Sequence, residues 1–331
     1  MKNGFDNASV LITGGVGFIG SALARRLVHL GAKVTIIDSL NPNYGGNLAN
    51  ISDIRDKVWL NISDVRDPHA LKYMIQGQDY LFNLAGQTSH LDSMTDPFTD
   101  LEINSKAQLT ILEAARINNP KIRIVFASTR QLYGKPQYLP VDEKHPVIPV
   151  DVNGINKLGG EWYHLLYNDV YGIPCTCLRL TNTYGPGMRV KDARQTFLGI
   201  WIKLLLTGEP LKVFGDGKQL RDFNYVDDVV NAFLLAATED EAVGQVLNLG
   251  SNEVINLRDL AEKMVEINGG GEIEVVPFPS ERKAIDIGDY YSDWKKAEAL
   301  LGWKPEIGLD EGLSASLEYY RKNGRNYWGD K

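Results

Sequence analysis

A glycine-rich segment near the N-terminus has the spacing of a phosphate-binding turn. Residues 13–20 read Thr-Gly-Gly-Val-Gly-Phe-Ile-Gly and follow an apolar run. Glycines at this spacing permit a tight turn, the close approach of a diphosphate and close packing of the next helix. The helix N-terminus then faces the anion. The residues predicted to bind the diphosphate are Gly14, Gly17, Phe18, Ile19 and Gly20.

A carboxylate at the end of the next predicted strand indicates which dinucleotide binds. Asp38 follows the apolar run 34–37 and lies eighteen residues beyond Gly20. A carboxylate at this place accepts both hydroxyls of an adenosine ribose and repels a 2′-phosphate. The two segments together predict dinucleotide binding, with NAD favoured over NADP.

Composition excludes several classes of function. The formal charge of −7 argues against a nucleic-acid-binding surface, which needs clustered cations. The five histidines lack the spacing of metal ligands, so we expect no metal site. We expect no signal peptide and no membrane-spanning run. Cys175 and Cys177 share one face of a predicted strand, and we interpret them as core residues of a cytoplasmic protein.

The order of apolar segments predicts an α/β fold. Short strands alternate with helices through the first half, which is typical of a doubly wound parallel sheet of the Rossmann type. The predicted strands are 10–12, 34–37, 58–61, 80–84, 123–127, 175–180 and 246–249, and the main helices are 18–30, 68–75, 96–117, 157–171 and 257–268. Beyond Asn182 the pattern is less regular and interrupted by glycine and proline.

This change of pattern predicts a smaller, interleaved C-terminal lobe that binds substrate. We expect residues 1–180, with about 222–252, to form the NAD-binding domain. The substrate lobe is then expected to comprise about 181–221 and 253–331.

Nearly the whole chain resembles the extended short-chain dehydrogenase/reductase family, in particular its nucleotide-sugar epimerases, dehydratases and decarboxylases. The matching motifs beyond the glycine turn are Asp64-Val65, Asn83 to Gly86, Asn104, Ser128-Thr129 with Tyr133-Gly134, Lys157 with Glu161, Arg179 to Pro186, Arg221 to Asp228 and 301–303. Their number and order make coincidence negligible.

The resemblance implies specific roles for individual residues. Asp64 and Val65 bracket the adenine, and Leu84 and Ala85 lie along the cofactor, NAD. Lys157 hydrogen-bonds the nicotinamide ribose, and Thr129 hydrogen-bonds the sugar hydroxyl that is oxidised. The residues implied to contact the nucleotide sugar are Ser89 in the sugar-pocket loop, Asn182 and Arg221 at the diphosphate, and Arg282 as a second cation.

One position departs from the family pattern. The family uses Tyr-x-x-x-Lys on a helix, which places both side chains on one face so that the ammonium lowers the pKa of the phenol. This chain has Asn153 four residues before Lys157. An amide cannot take up the proton, and losing a general base costs about 10²- to 10⁴-fold in rate.

The sequence leaves the consequence of Asn153 open. In one alternative, the chain is catalytically silent or trapped and only binds NAD and a nucleotide sugar. In the other, a different group replaces the missing base. His90 lies on the loop that resembles the sugar-pocket loop, and an imidazole suits proton transfer at neutral pH. If only the base is missing, Asn153→Tyr is expected to raise turnover by about 10²-fold; if His90 serves, tyrosine adds little.

The residues after Thr129 narrow the reaction. By the resemblance, dehydratases and decarboxylases of the family carry a carboxylic acid directly after the position of Thr129. This chain has Arg130 and Gln131 at those positions. By subtraction, we expect a UDP-sugar 4-epimerase that acts through a transient keto-sugar. A dehydratase, decarboxylase or reductase remains the alternative within the family.

The resemblance also implies a homodimer. Family members pair two helices per subunit into a four-helix interface, which corresponds here to the segments 101–117 and 162–171. We expect apolar side chains such as Leu109, Leu112 and Leu166 to be buried in that interface.

Overall fold

The protein contains a central sheet of seven parallel strands. The structure is a computed structural model that describes residues 4–192 and 196–329. The strands, in sequence, are β1 (Ser9–Thr13), β2 (Lys33–Asp38), β3 (Val58–Ile62), β4 (Tyr80–Asn83), β5 (Arg123–Thr129), β6 (Cys175–Leu180), β7 (Asn182–Tyr184), β8 (Leu211–Phe214), β9 (Leu220–Tyr225), β10 (Val246–Asn248), β11 (Val254–Asn256) and β12 (Ile273–Val276). The central sheet has the order β10-β6-β5-β4-β1-β2-β3. The predicted doubly wound, Rossmann-like sheet is confirmed.

Helices cover both faces of this sheet, as a parallel sheet requires. They are α1 (Phe18–His29), α2 (Pro68–Met74), α3 (His90–Thr95), α4 (Pro97–Leu101), α5 (Ala107–Asn118), α6 (Val152–Tyr171), α7 (Phe197–Thr207), α8 (Val226–Thr238), α9 (Leu257–Asn268), α10 (Ser280–Ala284), α11 (Lys295–Leu301), α12 (Leu309–Asn323) and α13 (Arg325–Trp328). Among the described residues, no helix combines the length and apolar character that crossing a membrane requires.

The smaller sheets lie beyond the end of β6 in the chain. Strand β9 pairs in parallel with β7 and antiparallel with β11, and β8 pairs in parallel with β12. Strand β10, by contrast, returns to the edge of the central sheet beside β6. The C-terminal half therefore contributes to both the large sheet and the small ones.

The turn between β1 and α1 depends on its glycines. Gly14 has φ +70°, a conformation that L side chains rarely adopt. A Cβ on Gly20 would lie 2.2 Å from the carbonyl oxygen of Gly14. The helix can therefore pack this closely on the strand only when both positions are glycine.

Two predicted helices differ from the observed ones. The predicted helix 157–171 begins earlier, at Val152, because the Asp151 carboxylate accepts a hydrogen bond from the Gly154 backbone N–H at 2.7 Å and caps the helix. The predicted helix 96–117 is divided, since a π-helical segment, Glu102–Lys106, separates α4 from α5. Such segments often occur at functional sites, and this one contains the buried Asn104.

Candidate active site

A cavity of about 280 Å³ lies at the C-terminal ends of the central strands, where open α/β sheets bind their ligands. The predicted site residues that line it are Gly14, Gly17, Phe18, Ile19, Gly20, Asp38, Asp64, Val65, Leu84, Ala85, His90, Thr129, Asn153, Lys157 and Asn182. Ser89, Arg221 and Arg282 do not line it. The fold thus brings most of the predicted residues to one cavity.

The three remaining predicted residues have other contacts. The Ser89 hydroxyl caps α3 by accepting a hydrogen bond from the Asp92 backbone N–H at 3.1 Å. The Arg221 guanidinium donates to the carbonyl oxygens of Leu220 and Gly288. Arg282 lies over the ring of Phe214, 5.7 Å from its centroid.

The Asp38 carboxylate holds the glycine-rich turn against the end of β2. Its two oxygens accept hydrogen bonds from the backbone N–H groups of Val16 at 2.9 Å and Leu40 at 2.8 Å. Burial raises the pKa of Asp38 above its ordinary value, although these hydrogen bonds oppose the shift. The carboxylate is therefore fixed in place beside the turn.

Lys157 reaches into the cavity from α6. Its Nζ donates a hydrogen bond to the Ala127 carbonyl oxygen at 2.9 Å and lies 4.8 Å from the ring centroid of Phe126. Burial lowers the pKa of Lys157 to about 8, although Asp100 opposes the shift. The Lys157 amine is therefore mostly protonated at neutral pH and loses its proton at mildly alkaline pH.

Asn153 is held by acceptors on both sides. Its Nδ2 donates to the Gln87 carbonyl oxygen at 2.8 Å and to Oδ2 of Asp100 at 3.0 Å, and its backbone N–H donates to the Ser93 hydroxyl at 3.2 Å. Both partners of Nδ2 are oxygen acceptors, so the orientation of the amide is determined. Because both Nδ2 hydrogens are used, the amide oxygen is the atom that Asn153 can offer to a ligand.

A buried carboxylate that no sequence pattern predicted organises this region. Asp100 accepts hydrogen bonds from the amides of Asn104 at 3.0 Å and Asn156 at 2.8 Å, in addition to Asn153. It is fully buried within α4. The sequence indicates only a polar residue of an amphipathic helix, because two of its three partners, Asn153 and Asn156, are 53 and 56 residues away along the chain.

His90 is paired with a carboxylate at the cavity. Its Nδ1 lies 3.0 Å from Oδ2 of Asp151, and its side chain is 37% exposed. The same oxygen accepts a hydrogen bond from Nε2 of Gln131 at 2.8 Å. Burial raises the pKa of Asp151, but His90 and the hydrogen-bond donors lower it further, so that it lies below its ordinary value.

The position of Asp151 links His90 to Asn153. Asp151 caps α6, and Asn153 is the second residue of that helix. The Asp151 carboxylate lies 3.0 Å from Nδ1 of His90 without an aligned hydrogen bond. A carboxylate at this distance favours the tautomer with its proton on Nδ1, which leaves the other ring nitrogen free to act as a base. The signal in the sequence was a capping aspartate two residues before Asn153.

Comparison with known proteins agrees with this geometry. Residues 10–250 match the NAD dependent epimerase/dehydratase family. The chain belongs to this family. A UDP-glucose 4-epimerase from Mycolicibacterium smegmatis is 30% identical over 319 residues, covering 95% of this chain and 99% of that protein. UDP-glucuronic acid decarboxylase 1 from Xenopus tropicalis is 31% identical over 327 residues, covering 96% of this chain and 73% of that protein.

The solved structures include a similar epimerase with substrate. UDP-glucose 4-epimerase from Thermotoga maritima, crystallised with UDP-glucose, has a TM-score of 0.86 and 30% identity, and the match covers 95% of this chain and 99% of that one. The cofactor of this family is NAD. The lining of the cavity fits NAD, because the glycine-rich turn and the Asp38 carboxylate both line it. At Gly14 a Cβ would lie 3.0 Å from the Ala85 backbone, so this position of the turn excludes a side chain.

We predict that Asp38 makes the protein selective for NAD over NADP. A 2′-phosphate would lie against the fixed carboxylate, and like-charge contact costs on the order of 1 kcal/mol or more. We expect calorimetric titration of cofactor-stripped protein to give NAD at least about tenfold higher affinity than NADP. Asp38→Asn is expected to reduce the difference between the affinities for NAD and NADP. Equal affinities for the two cofactors in the parent protein would contradict the role predicted for Asp38.

The lowered pKa of Lys157 predicts a pH dependence of NAD binding. The cofactor is expected to bind the ammonium form, and the free protein loses that form as pH rises through about 8. NAD affinity should therefore fall by about tenfold or more between pH 7 and 9.5. Lys157→Arg, which stays charged, should show a flat profile. A parent profile that is also flat would exclude a role for the ammonium.

Proposed function

We propose that this protein is an NAD-dependent epimerase that inverts C4 of a UDP-sugar through a transient keto-sugar, with His90 as the catalytic base. The pairing of His90 with Asp151 at the cavity carries the proposal, because it supplies a base where the chain has no tyrosine. The family match and the similar UDP-glucose 4-epimerases support the reaction type.

Each residue of the site receives a role. Thr129 donates to or accepts from the C4 hydroxyl of the sugar, and Oδ1 of Asn153 accepts from a hydroxyl beside it. His90 takes the hydroxyl proton during oxidation and returns it during reduction. Lys157 holds the nicotinamide ribose. Bound NAD supplies the reversible hydride acceptor.

The contacts of Gln131 favour epimerisation over elimination or decarboxylation. Its amide donates to Asp151, and its neighbour Arg130 is a cation. Neither side chain can protonate a leaving hydroxyl group as a carboxylic acid would. Epimerisation needs no such acid, because the keto-sugar only has to rotate before hydride returns to its other face.

The test is product formation from purified protein. We expect incubation with NAD and UDP-hexoses or UDP-hexuronic acids to give the C4 epimer, measured by proton NMR of the anomeric signals. A protein that binds NAD and a UDP-sugar without forming an epimer would instead be a silent binding protein. Release of a shortened or dehydrated sugar would assign it to the decarboxylases or dehydratases.

We further propose a division into two units, with the NAD-binding domain formed by residues 1–180 and about 222–252. The substrate lobe then comprises about 181–221 and 253–331. The return of β10 to the central sheet supports this division.

We also propose a homodimer. Large apolar side chains are exposed on α4, α5 and α6, and they are Phe98, Leu101, Ile117, Trp162, Leu166 and Val170. Leu112 does not belong to this face, since it is fully buried in the chain's own core, and Leu109 packs against that core. The expected interface is therefore formed by the outward faces of these helices.

Mass measurement tests the dimer. Light scattering at micromolar concentration should give the mass of two chains, and Leu166→Glu should give one, because it places a charge in the apolar interface. Ile62→Glu is the matched control, since Ile62 is 65% exposed and belongs to the edge strand β3 of the central sheet, not to these helices. A parent protein with the mass of one chain would contradict the proposal.

A further inference from the structure

Arg130 lies at the cavity and has one buried guanidinium nitrogen that lacks a hydrogen-bond partner among the described residues. It follows Thr129 at the end of β5 and lines the cavity. Its Nη2 donates to Oδ1 of Asn182 at 3.0 Å, and its guanidinium carbon lies 5.0 Å from the ring centroid of Tyr290. Its Nη1 is buried and has no hydrogen-bond partner in the part of the chain that the structure describes.

The charge of Arg130 has no carboxylate at ion-pair distance among the described residues, although Asp222 and Asp286 act on it from farther away. Of the described residues, no carboxylate forms an ion pair with it, whereas the neighbouring Arg221 has Asp286 at 3.8 Å. Burial lowers the pKa of Arg130, and burial together with Arg130 lowers the pKa of Arg221 to about 10. Buried cations are ordinarily paired, so this arrangement favours an anion as the missing partner.

The place of Arg130 in the chain indicates which part of the substrate it meets. It is adjacent to Thr129, to which the proposed function assigns the reacting hydroxyl of the sugar. The contacts of Arg130 hold the guanidinium plane by a hydrogen bond to Asn182 and by the ring of Tyr290. A fixed planar guanidinium is suited to binding a carboxylate.

We infer that Arg130 binds a carboxylate carried by the sugar ring, so that the substrates are nucleotide-linked uronic acids. This inference rests on the proposed function for placing the sugar beside Thr129. A neutral hydroxymethyl group in the same place would leave the charge of Arg130 unpaired. Arg130 is then the residue that distinguishes uronic acids from neutral sugars.

Calorimetric binding in the presence of NAD tests the inference with UDP, UDP-glucose and UDP-glucuronate as probes. The parent protein should bind UDP-glucuronate at least about tenfold more tightly than UDP-glucose, as expected for a charge-assisted contact. Arg130→Met should lower the affinity for UDP-glucuronate by about 10- to 100-fold. The affinities for UDP and UDP-glucose should stay within about twofold of those of the parent protein. Arg123→Met, at the opposite end of β5, is the matched control and should leave the affinities for all three probes unchanged.

Two results would overturn the inference. The first is a parent protein that binds both sugars equally, a result that needs no variant to fold. The second is an Arg130→Met variant whose affinity for UDP falls as much as its affinity for UDP-glucuronate. That result would mean that Arg130 contacts the diphosphate. Arg130→Lys, which keeps the charge, should retain part of the preference.

Binding does not depend on turnover, so the inference and the proposed function can fail separately. Arg130-dependent preference for UDP-glucuronate without formation of an epimer would support the inference and contradict the epimerase. Epimerisation of UDP-glucose with no preference for the uronic acid would support the epimerase and overturn the inference.

Discussion

Replacing His90 with alanine is expected to lower kcat on the preferred UDP-sugar by about 10²- to 10⁴-fold, the usual cost of losing a general base. The side chain lies at the cavity, where its Nδ1 is 3.0 Å from the Asp151 carboxylate. NAD affinity should stay unchanged, because none of the cofactor contacts assigned above involves the imidazole. Steady-state rates and calorimetric titration of NAD measure the two effects separately.

Two further variants make this result specific. His69→Ala removes an exposed histidine on α2 that does not line the cavity, and it should leave kcat unchanged. Asp151→Asn keeps an oxygen to cap α6 but removes the charge beside His90. It should lower kcat by about tenfold or more while KM changes little. The melting temperature should also fall, because Nε2 of Gln131 then faces an amide nitrogen in place of Oδ2. A His90→Ala variant with parental kcat would remove His90 from the chemistry.

Replacing Asn153 with tyrosine is expected to lower turnover by about tenfold or more. The amide donates to Gln87 and Asp100, and a phenol cannot donate to both. An acceptor left unsatisfied in a buried network costs about 1 to 3 kcal/mol, so the melting temperature should also fall. The measurements are kcat and thermal unfolding of the parent and the variant under the same conditions.

The double variant separates the two accounts of Asn153. If His90 is the base, Asn153→Tyr combined with His90→Ala should be as inactive as His90→Ala alone. If the chain lacks only a base, Asn153→Tyr should instead raise turnover by about 10²-fold, and the double variant should keep that gain. A rise of this size would contradict the role given to His90.

The parts of the fold that the sequence predicted are those specified by local patterns. Apolar runs bounded by polar residues predicted the strands of the central sheet to within a few residues. The turn at Gly14 to Gly20 was predictable because its conformation and close contacts admit only glycine. The position of Asp38 at the cavity was predictable because it ends the strand that follows that turn.

The contacts that orient the site depend on tertiary structure and left little trace in the sequence. Asp100 and Asn153 are 53 residues apart, and His90 lies on α3 whereas Asp151 caps α6. The π-helical segment that carries Asn104 follows no periodic pattern. Arg221, predicted to contact the diphosphate, donates to the backbone carbonyl oxygens of Leu220 and Gly288, and only the packing of the small sheets reveals these contacts.

The fate of the hydrogen at C4 tests the central claim most directly. The UDP-sugar that the protein converts is prepared with deuterium at C4, and the epimer is analysed by mass spectrometry and NMR. The account predicts that the epimer retains the deuterium at C4 and gains none from D₂O when unlabelled substrate is used, because the hydride leaves and returns within one active site. Loss of the label to solvent, or an epimer inverted at another carbon with C4 untouched, would contradict it.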